Sequence, residues 1–400
     1  MRDQDRIVYP REVLVWSTLL IFLLGLRSRR QFRFEASTET FVRNLNLLAD
    51  THVETAPHDD TLVYYFERLQ PEAFERLPVA VVRRLIRMKA LDHGRLSGLF
   101  LVAVDGTGHL FFRERHCPHC LTATRSDGTT RYFHHVLEAK LVTADGLAFS
   151  IATEFIENSD PKASKQDCER NAFHRLAEKL KSCFPQLPII LLGDALYANA
   201  PVMEICRRNR WMFIFTFKAG SLPALFQEYQ TLRDLETDNR VELKTNDKTQ
   251  RFAWVNDLTH EGHRLGAFEC RETGSDGSRC FAWITNFTVG RKSVVTLSNQ
   301  GGRCRWKIEN QGFNIQKNHG YELEHAYCQS GNVAKIFYFL LQVAHAINQL
   351  ILHGSLMEHF RRSLGSLRNY LRRLAEVFRN TPIGDGQPLP LFQIRLEKPP

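Results

Sequence analysis

Three acidic residues stand out by type and setting: Asp105, Asp194 and Glu309. Asp105 follows the apolar run Leu99–Val104, Asp194 follows Ile189–Leu192 and Gly193, and Glu309 lies in a helical pattern after Gly301 and Gly302. Taken singly, each has a plain reading: a turn residue before Gly106, a helix cap, a surface helix charge. Taken together they ask for more, because two buried strands that end in Asp have no packing need for it. Three carboxylates in one cleft repel one another and do not all ionise unaided. Two divalent cations remove that repulsion, and oxygen-only ligands suit Mg²⁺ or Mn²⁺. Two ions about 3.5–4 Å apart clamp the attacking water and the leaving oxygen of a phosphodiester. Lys218, Arg303 and Arg305 are placed to offset phosphate charge.

The elements that must position these groups follow from periodicity and turn residues. Leu99–Val104 reads as a strand closed by a tight turn at Gly106-Thr107-Gly108, after which His109–Arg113 resumes extended. Tyr132–Val142 and Leu147–Ile156 are strand-like. Ser164 and Asp167 resemble a capping box, and Phe173, Leu176, Leu180 and Phe184 share one helical face. Ile189–Leu192 is a short buried strand, Pro201–Asn209 a helix, and Trp211–Phe217 a strand that ends at Lys218. A three-strand antiparallel meander, then strands joined by helical crossovers, is the element order of the ribonuclease H-like fold. If the first and fourth strands are neighbours, both aspartates meet at one sheet edge.

This α/β core spans 98–222 and 294–353 and is expected to be split by a small β insertion at 223–293. A helix is expected from about Arg303 to Asn318, closed by Gly320, then a long apolar helix over Asn332–Leu352. Residues 1–97 look helical and suit either a DNA-end-binding unit or a plain bundle, with Asp60-Thr61 as a cap before Leu62–Leu69. Residues 354–400 form a basic helical tail. Its Arg361, Arg362, Arg368, Arg372, Arg373 and Arg379 are a solvated face or contacts to DNA phosphate or a second subunit. Val13–Leu26 is apolar but only 14 residues long. A membrane span needs about 20, so this stretch reads as a buried helix.

Three segments carry a resemblance: VAVDGTG at 102–108, LLGDALYAN at 191–199, and GRCRWKIEN at 302–310 with the following FNIQKNHGYELEHAY. The chain resembles bacterial insertion-sequence DDE transposases of the subgroup with a β insertion between its second Asp and its Glu, over about residues 15–353. The resemblance implies Asp105, Asp194 and Glu309 as ligands of two Mg²⁺ or Mn²⁺ ions. It implies hydrolysis at the element's ends, attack of the freed 3′-OH on target DNA, and a homodimer on double-stranded DNA in a bacterial cytoplasm. Arg303, Arg305, Trp306, Lys307, Lys317 and Lys218 become candidate DNA contacts. Trp306 either stacks on a displaced base or closes the helix onto the sheet.

The subgroup signature reads Tyr, two residues, Arg, three residues, Glu, six residues, Lys. Arg305 and Glu309 fit it, whereas Gly302 stands at the Tyr position and Gln316 at the Lys position. On a regular helix Lys317 falls about 80° round from Glu309, so it does not simply replace the missing Lys. A structure-specific nuclease, or a decayed DNA-binding copy, remains as an alternative function.

Cys117 and Cys120 precede His134 and His135 at near zinc-site spacing, so a structural zinc competes with free thiols in a loop. No phosphate-binding or dinucleotide glycine motif occurs. The nine cysteines are scattered, as in a reducing cytoplasm. The net charge of +9 is uneven. Residues 287–322 and 354–400 each carry +4, whereas 98–286, with both aspartates, carries −1. DNA is therefore expected along the Glu309 helix and the basic tail.

Overall fold

A computed structural model of the chain describes residues 9–158, 166–245, 247–275, 277–355, 363–384 and 396. Five helices come first: α1 (Arg11–Leu23), α2 (Arg29–Glu35), α3 (Glu39–Ala49), α4 (Asp59–Phe66) and α5 (Glu72–Arg87). A mixed sheet follows, built from β1 (Phe100–Phe112), β2 (Leu121–Thr124), β3 (Thr130–Val142), β4 (Ala148–Ile156), β5 (Ile189–Gly193) and β6 (Met212–Thr216). Helices α6 (Glu169–Cys183) and α7 (Ala200–Asn209) make the crossovers. Then come α8 (Pro223–Leu235) and strands β7 (Arg240–Lys244), β8 (Lys248–His260), β9 (His263–Gly274) and β10 (Gly277–Thr285).

In space β4, β3, β1, β5 and β6 lie side by side in that order. The first three are antiparallel, and β5 and β6 run parallel to β1. This is the ribonuclease H-like arrangement, with the meander on one flank and the crossovers on the other. The insertion is not a separate unit. It opens with α8, and β10 pairs with β6, so β10, β9, β8 and β7 extend the same sheet to ten strands.

Strand β1 also departs from the expected tight turn. Gly106 and Gly108 lie inside one continuous strand, with a register shift between Gly108 and Leu110. Both positions are crowded: a Cβ on Gly106 would stand 2.3 Å from Glu169 Oε1, and one on Gly108 would stand 2.1 Å from the Phe111 ring. Helix α6 begins after Cys168 without a side-chain cap; Asp167 instead pairs with Arg175, and Ser164 lies outside the described residues. The cap of α4 is His58, whose Nδ1 accepts from the Asp60 amide, rather than Asp60-Thr61.

The segment expected as a regular helix from Arg303 starts earlier, at Val294, and is composite. It passes through an α turn, a π turn (Leu297–Gly301), a 3₁₀ turn (Gly302–Trp306), a second π turn (Ile308–Phe313) and a last α turn (Asn314–Asn318). Such irregular winding recurs at functional sites. Leu297, Cys304, Ile308 and Phe313 bury one stripe of it on Leu101, Ala103, Ile190, Leu192 and Ile214 of the sheet. Close approach explains the glycine pair: a Cβ at Gly301 would stand 2.7 Å from Ile214 Cδ1.

Val13–Leu26 is buried as expected. Helix α1 packs with α3, α4 and the long helix Gly331–His353 in one apolar cluster, where the Phe22 and Phe337 rings lie 6.1 Å apart. The long helix is apolar enough to cross a membrane, and 72% of its most apolar window is buried inside the protein. Of the basic tail, Leu367–Asn380 is helical; Arg361 and Arg362 lie outside the described residues. Its Phe378 carbonyl accepts from Asn44 Nδ2 of α3 at 2.8 Å, which docks the tail on the N-terminal helices.

Under the composite helix lies a buried polar chain. Lys140 and Glu138 of β3 are fully buried and 3.2 Å apart, and Lys140 Nζ donates to Gln342 Oε1 at 2.7 Å. Gln316 Nε2 donates to the same oxygen at 2.8 Å. Glu138 also accepts from Ser150, Thr153 and Tyr338. Burial lowers the Lys140 pKa, and Glu138 opposes that shift. Removing one partner of a buried pair costs about 3–5 kcal/mol. Lys140→Met should therefore lower the melting temperature markedly. Adding Glu138→Gln should restore part of the loss, which thermal denaturation of the single and double variants measures.

Candidate active site

The parallel pairing of β1 with β5 ends at Ala103↔Leu192. Asp105 lies two residues beyond it on β1, and Asp194 directly follows the last residue of β5. Because the strands are parallel and adjacent, both carboxylates emerge at one edge. Asp105 is thus within a long strand rather than at its end; what ends there is its partner β5. The composite helix crosses this edge and brings Glu309. All three line one cavity of about 530 Å³, together with Lys218, Arg303, Arg305, Trp306 and the aromatic rings of Phe281 and Trp283.

Arg305 is the hub. Its Nη1 lies 2.8 Å from Glu309 Oε1 and 3.4 Å from Asp105 Oδ2. Its guanidinium is nearly buried, and Nε has no hydrogen-bond partner among the described residues. Asp105 Oδ1 accepts from the Gly106 amide at 2.9 Å. Burial pushes the Asp105 carboxyl up to about 7; a hydrogen bond with Glu309 adds to the rise and Arg305 opposes it. The donor set of hard carboxylate oxygens gathered in one cleft fits a divalent cation.

Periodicity and motif spacing did not single out Glu169. It opens α6, and its Oε1 would stand 2.3 Å from a Cβ built on Gly106. Burial raises its pKa, and the Asp194 charge adds to the rise, so it is a fourth carboxylate beside the cleft. Its one sequence-level signal was Gly106, a glycine in a strand interior where close approach is required.

The basic candidates divide. Lys218 is exposed on the cavity wall. Arg303 lines the cavity too, but its Nη1 is held at 2.7 Å by Glu272 and its guanidinium lies over the Phe281 ring. Trp306 does not close a core: it is 43% exposed at the rim, edge-on to Phe281. Two expected contacts are not brought to the site. Lys307 points to the far side, its Nζ near Gly146, and Lys317 pairs with Glu324 at 2.8 Å.

Both departures from the Tyr–Arg–Glu–Lys signature have a structural counterpart. A Cβ at Gly302 would stand 2.3 Å from Trp283 Nε1, so the Trp283 indole fills the space next to position 302. Gln316 is fully buried on Gln342 and His345, within reach of the Lys140 chain, where a second lysine would be a like charge.

No family model matches the sequence, and no curated protein does. Among solved structures, the cryo-EM structure of a piggyBac transposase synaptic complex with hairpin DNA is similar over 92% of this chain and 71% of that one, at 10% identity and a TM-score of 0.43. Similarity that low bears on neither fold nor function.

Two outcomes follow. Gly302→Tyr, which restores the signature residue, should lower thermal stability, and the added change Trp283→Ala should recover it, as melting of the two variants reports. For Asp105 the sign is set by its raised pKa. Between the ordinary value of 3.8 and about 7, the folded chain holds a proton that the unfolded chain has lost. Stability therefore falls as pH rises through that window and stays reduced above it. In chelator, Asp105→Asn should melt higher than the parent at pH 8, with the difference vanishing toward pH 4.

Proposed function

We propose that this chain is a DDE transposase that cleaves DNA at the ends of its own element and joins the freed 3′-OH to target DNA. The observation that carries the proposal is the convergence of Asp105, Asp194 and Glu309 from three separate elements at one edge of a ribonuclease H-like sheet. Their order and flanking residues also resemble the insertion-sequence transposases with a β insertion. In this reading Asp105, Asp194 and Glu309 hold Mg²⁺ or Mn²⁺, which when bound would lower the pKa of the attacking water or 3′-OH and stabilise the leaving oxygen.

The chain's own residues do the remaining work. Arg305 orients Glu309 through their 2.8 Å contact and keeps it near Asp105. Lys218 offers its exposed ammonium to a phosphate. Trp306 presents an exposed ring at the rim, suited to stacking on a base unpaired at the cleaved end. The basic face of Leu367–Asn380 would neutralise flanking phosphates.

The test uses purified full-length protein, Mg²⁺ and labelled DNA carrying the element's own terminal repeats. Joined product supports transposition, cleavage without joining supports a nuclease, and binding alone supports a DNA-binding relic. Asp105→Ala, Asp194→Ala and Glu309→Ala should each reduce cleavage by at least about 10³-fold while leaving DNA binding intact. Near-full activity in any one of them removes that residue from the assignment. Trp306→Ala should weaken joining more than binding, read from gel assays of both steps.

A further inference from the structure

Far from the carboxylates, a second cluster forms where the β1–β3 ribbon ends. Cys117 and Cys120 sit on the tight turn Cys117-Pro118-His119-Cys120, closed by the Cys120 amide donating to the Cys117 carbonyl at 3.3 Å. The two sulfurs are 3.6 Å apart, and His134 Nε2 of β3 lies 3.3 Å from one and 3.5 Å from the other. We propose that Cys117, Cys120 and His134 are three ligands of a tetrahedral zinc ion.

The distances match that geometry. With Zn–S near 2.3 Å and Zn–N near 2.05 Å, tetrahedral edges are about 3.8 Å between sulfurs and about 3.6 Å from sulfur to nitrogen. His134 is oriented from behind. Its Nδ1 faces Glu157 Oε1 at 3.5 Å, and Glu157 is itself held by Lys335 at 2.6 Å. A carboxylate on the outer ring nitrogen fixes the tautomer that leaves Nε2 free to bind metal. Two thiolates and one neutral imidazole also cancel the charge of Zn²⁺, which suits a partly buried site. His135, the adjacent residue, is on the opposite strand face and is not part of the set.

The fourth position opens toward a cavity of about 260 Å³ bordered by Cys117, His134, His116 and His119, so a water or one of these two histidines completes it. In the structure both rings are engaged elsewhere: His116 Nε2 on the Gln329 carbonyl at 2.8 Å, His119 Nδ1 on the Asn158 carbonyl at 2.7 Å. Those bonds dock the turn between the end of β4 and the start of the long helix. Zinc would therefore fasten the turn to β3 at the tip of the ribbon, next to the contacts that dock the turn, independently of the chemistry at the sheet edge.

The test is metal content of the full-length chain purified under reducing conditions with zinc and then dialysed, in an Asp105→Asn background that removes the carboxylate site. About one zinc per chain is expected, falling several-fold in Cys117→Ser, Cys120→Ser and His134→Ala; Cys168→Ser should be unaffected. Cobalt substitution of the unmutated site should give a thiolate charge-transfer band and the intense visible bands of a tetrahedral ion. This readout holds even where a ligand variant fails to fold. Glu157→Gln should weaken zinc about 10–100-fold in chelator competition. A metal-free chain, an octahedral cobalt spectrum, or undiminished zinc in folded Cys117→Ser would each overturn the proposal.

Discussion

The structure is organised around a repulsion. Like charges gathered at one sheet edge destabilise the cleft that holds them, and the fold spends its nearest cation on the problem. Arg305 bridges Glu309 and Asp105, yet Asp105 is still pushed up to about 7 because burial outweighs one partly engaged guanidinium. Glu169 enlarges the same field from α6. In the proposed function a divalent cation bound among these carboxylates would relieve that repulsion in the folded chain alone, so lower stability without metal and affinity for metal would be two sides of one electrostatic cost.

Holding Glu309 over that edge requires the composite helix to lie very close to the sheet. Its two π turns and the Gly301-Gly302 pair allow the approach, since a Cβ at either glycine would collide with Ile214 or Trp283. On the inner side Gln316 of the helix joins Lys140 and Gln342 through buried hydrogen bonds. The insertion contributes as well. Because β10 pairs with β6, it carries Phe281 and Trp283 into the cavity wall, and Glu272 of β9 fixes Arg303. An element that looked like an interruption is part of the site.

Much of the central frame was legible in the chain. Buried strands announced themselves as apolar runs, and the order of strands and helices limited the sheet to few topologies. Asp105 and Asp194 were conspicuous as carboxylates beside buried runs and Glu309 through the motif that carries the resemblance, and the three line one cavity. Less was legible where crowding, rather than periodicity, decides. The tight turn expected at Gly106-Thr107-Gly108 is a strand, and its glycines lie against Glu169 and Phe111. A regular helix from Arg303 is in fact irregular from Val294, because close packing on the sheet overrides even winding.

The sequence by itself determined the alternation of elements and the kinds of chemistry available, since apolar period and residue type are local properties of the chain. Only the tertiary structure decided which groups meet. Lys307 and Lys317 stand close to Glu309 in sequence and face elsewhere, whereas Glu169, 140 residues away along the chain, sits beside the aspartates. Trp283 and Gly302, and Cys117 with His134, are likewise pairs made by sheet register and close packing. The physical reason is that charge and steric exclusion act through space over a few ångströms, and the spacing of residues along a strand or helix does not encode that distance.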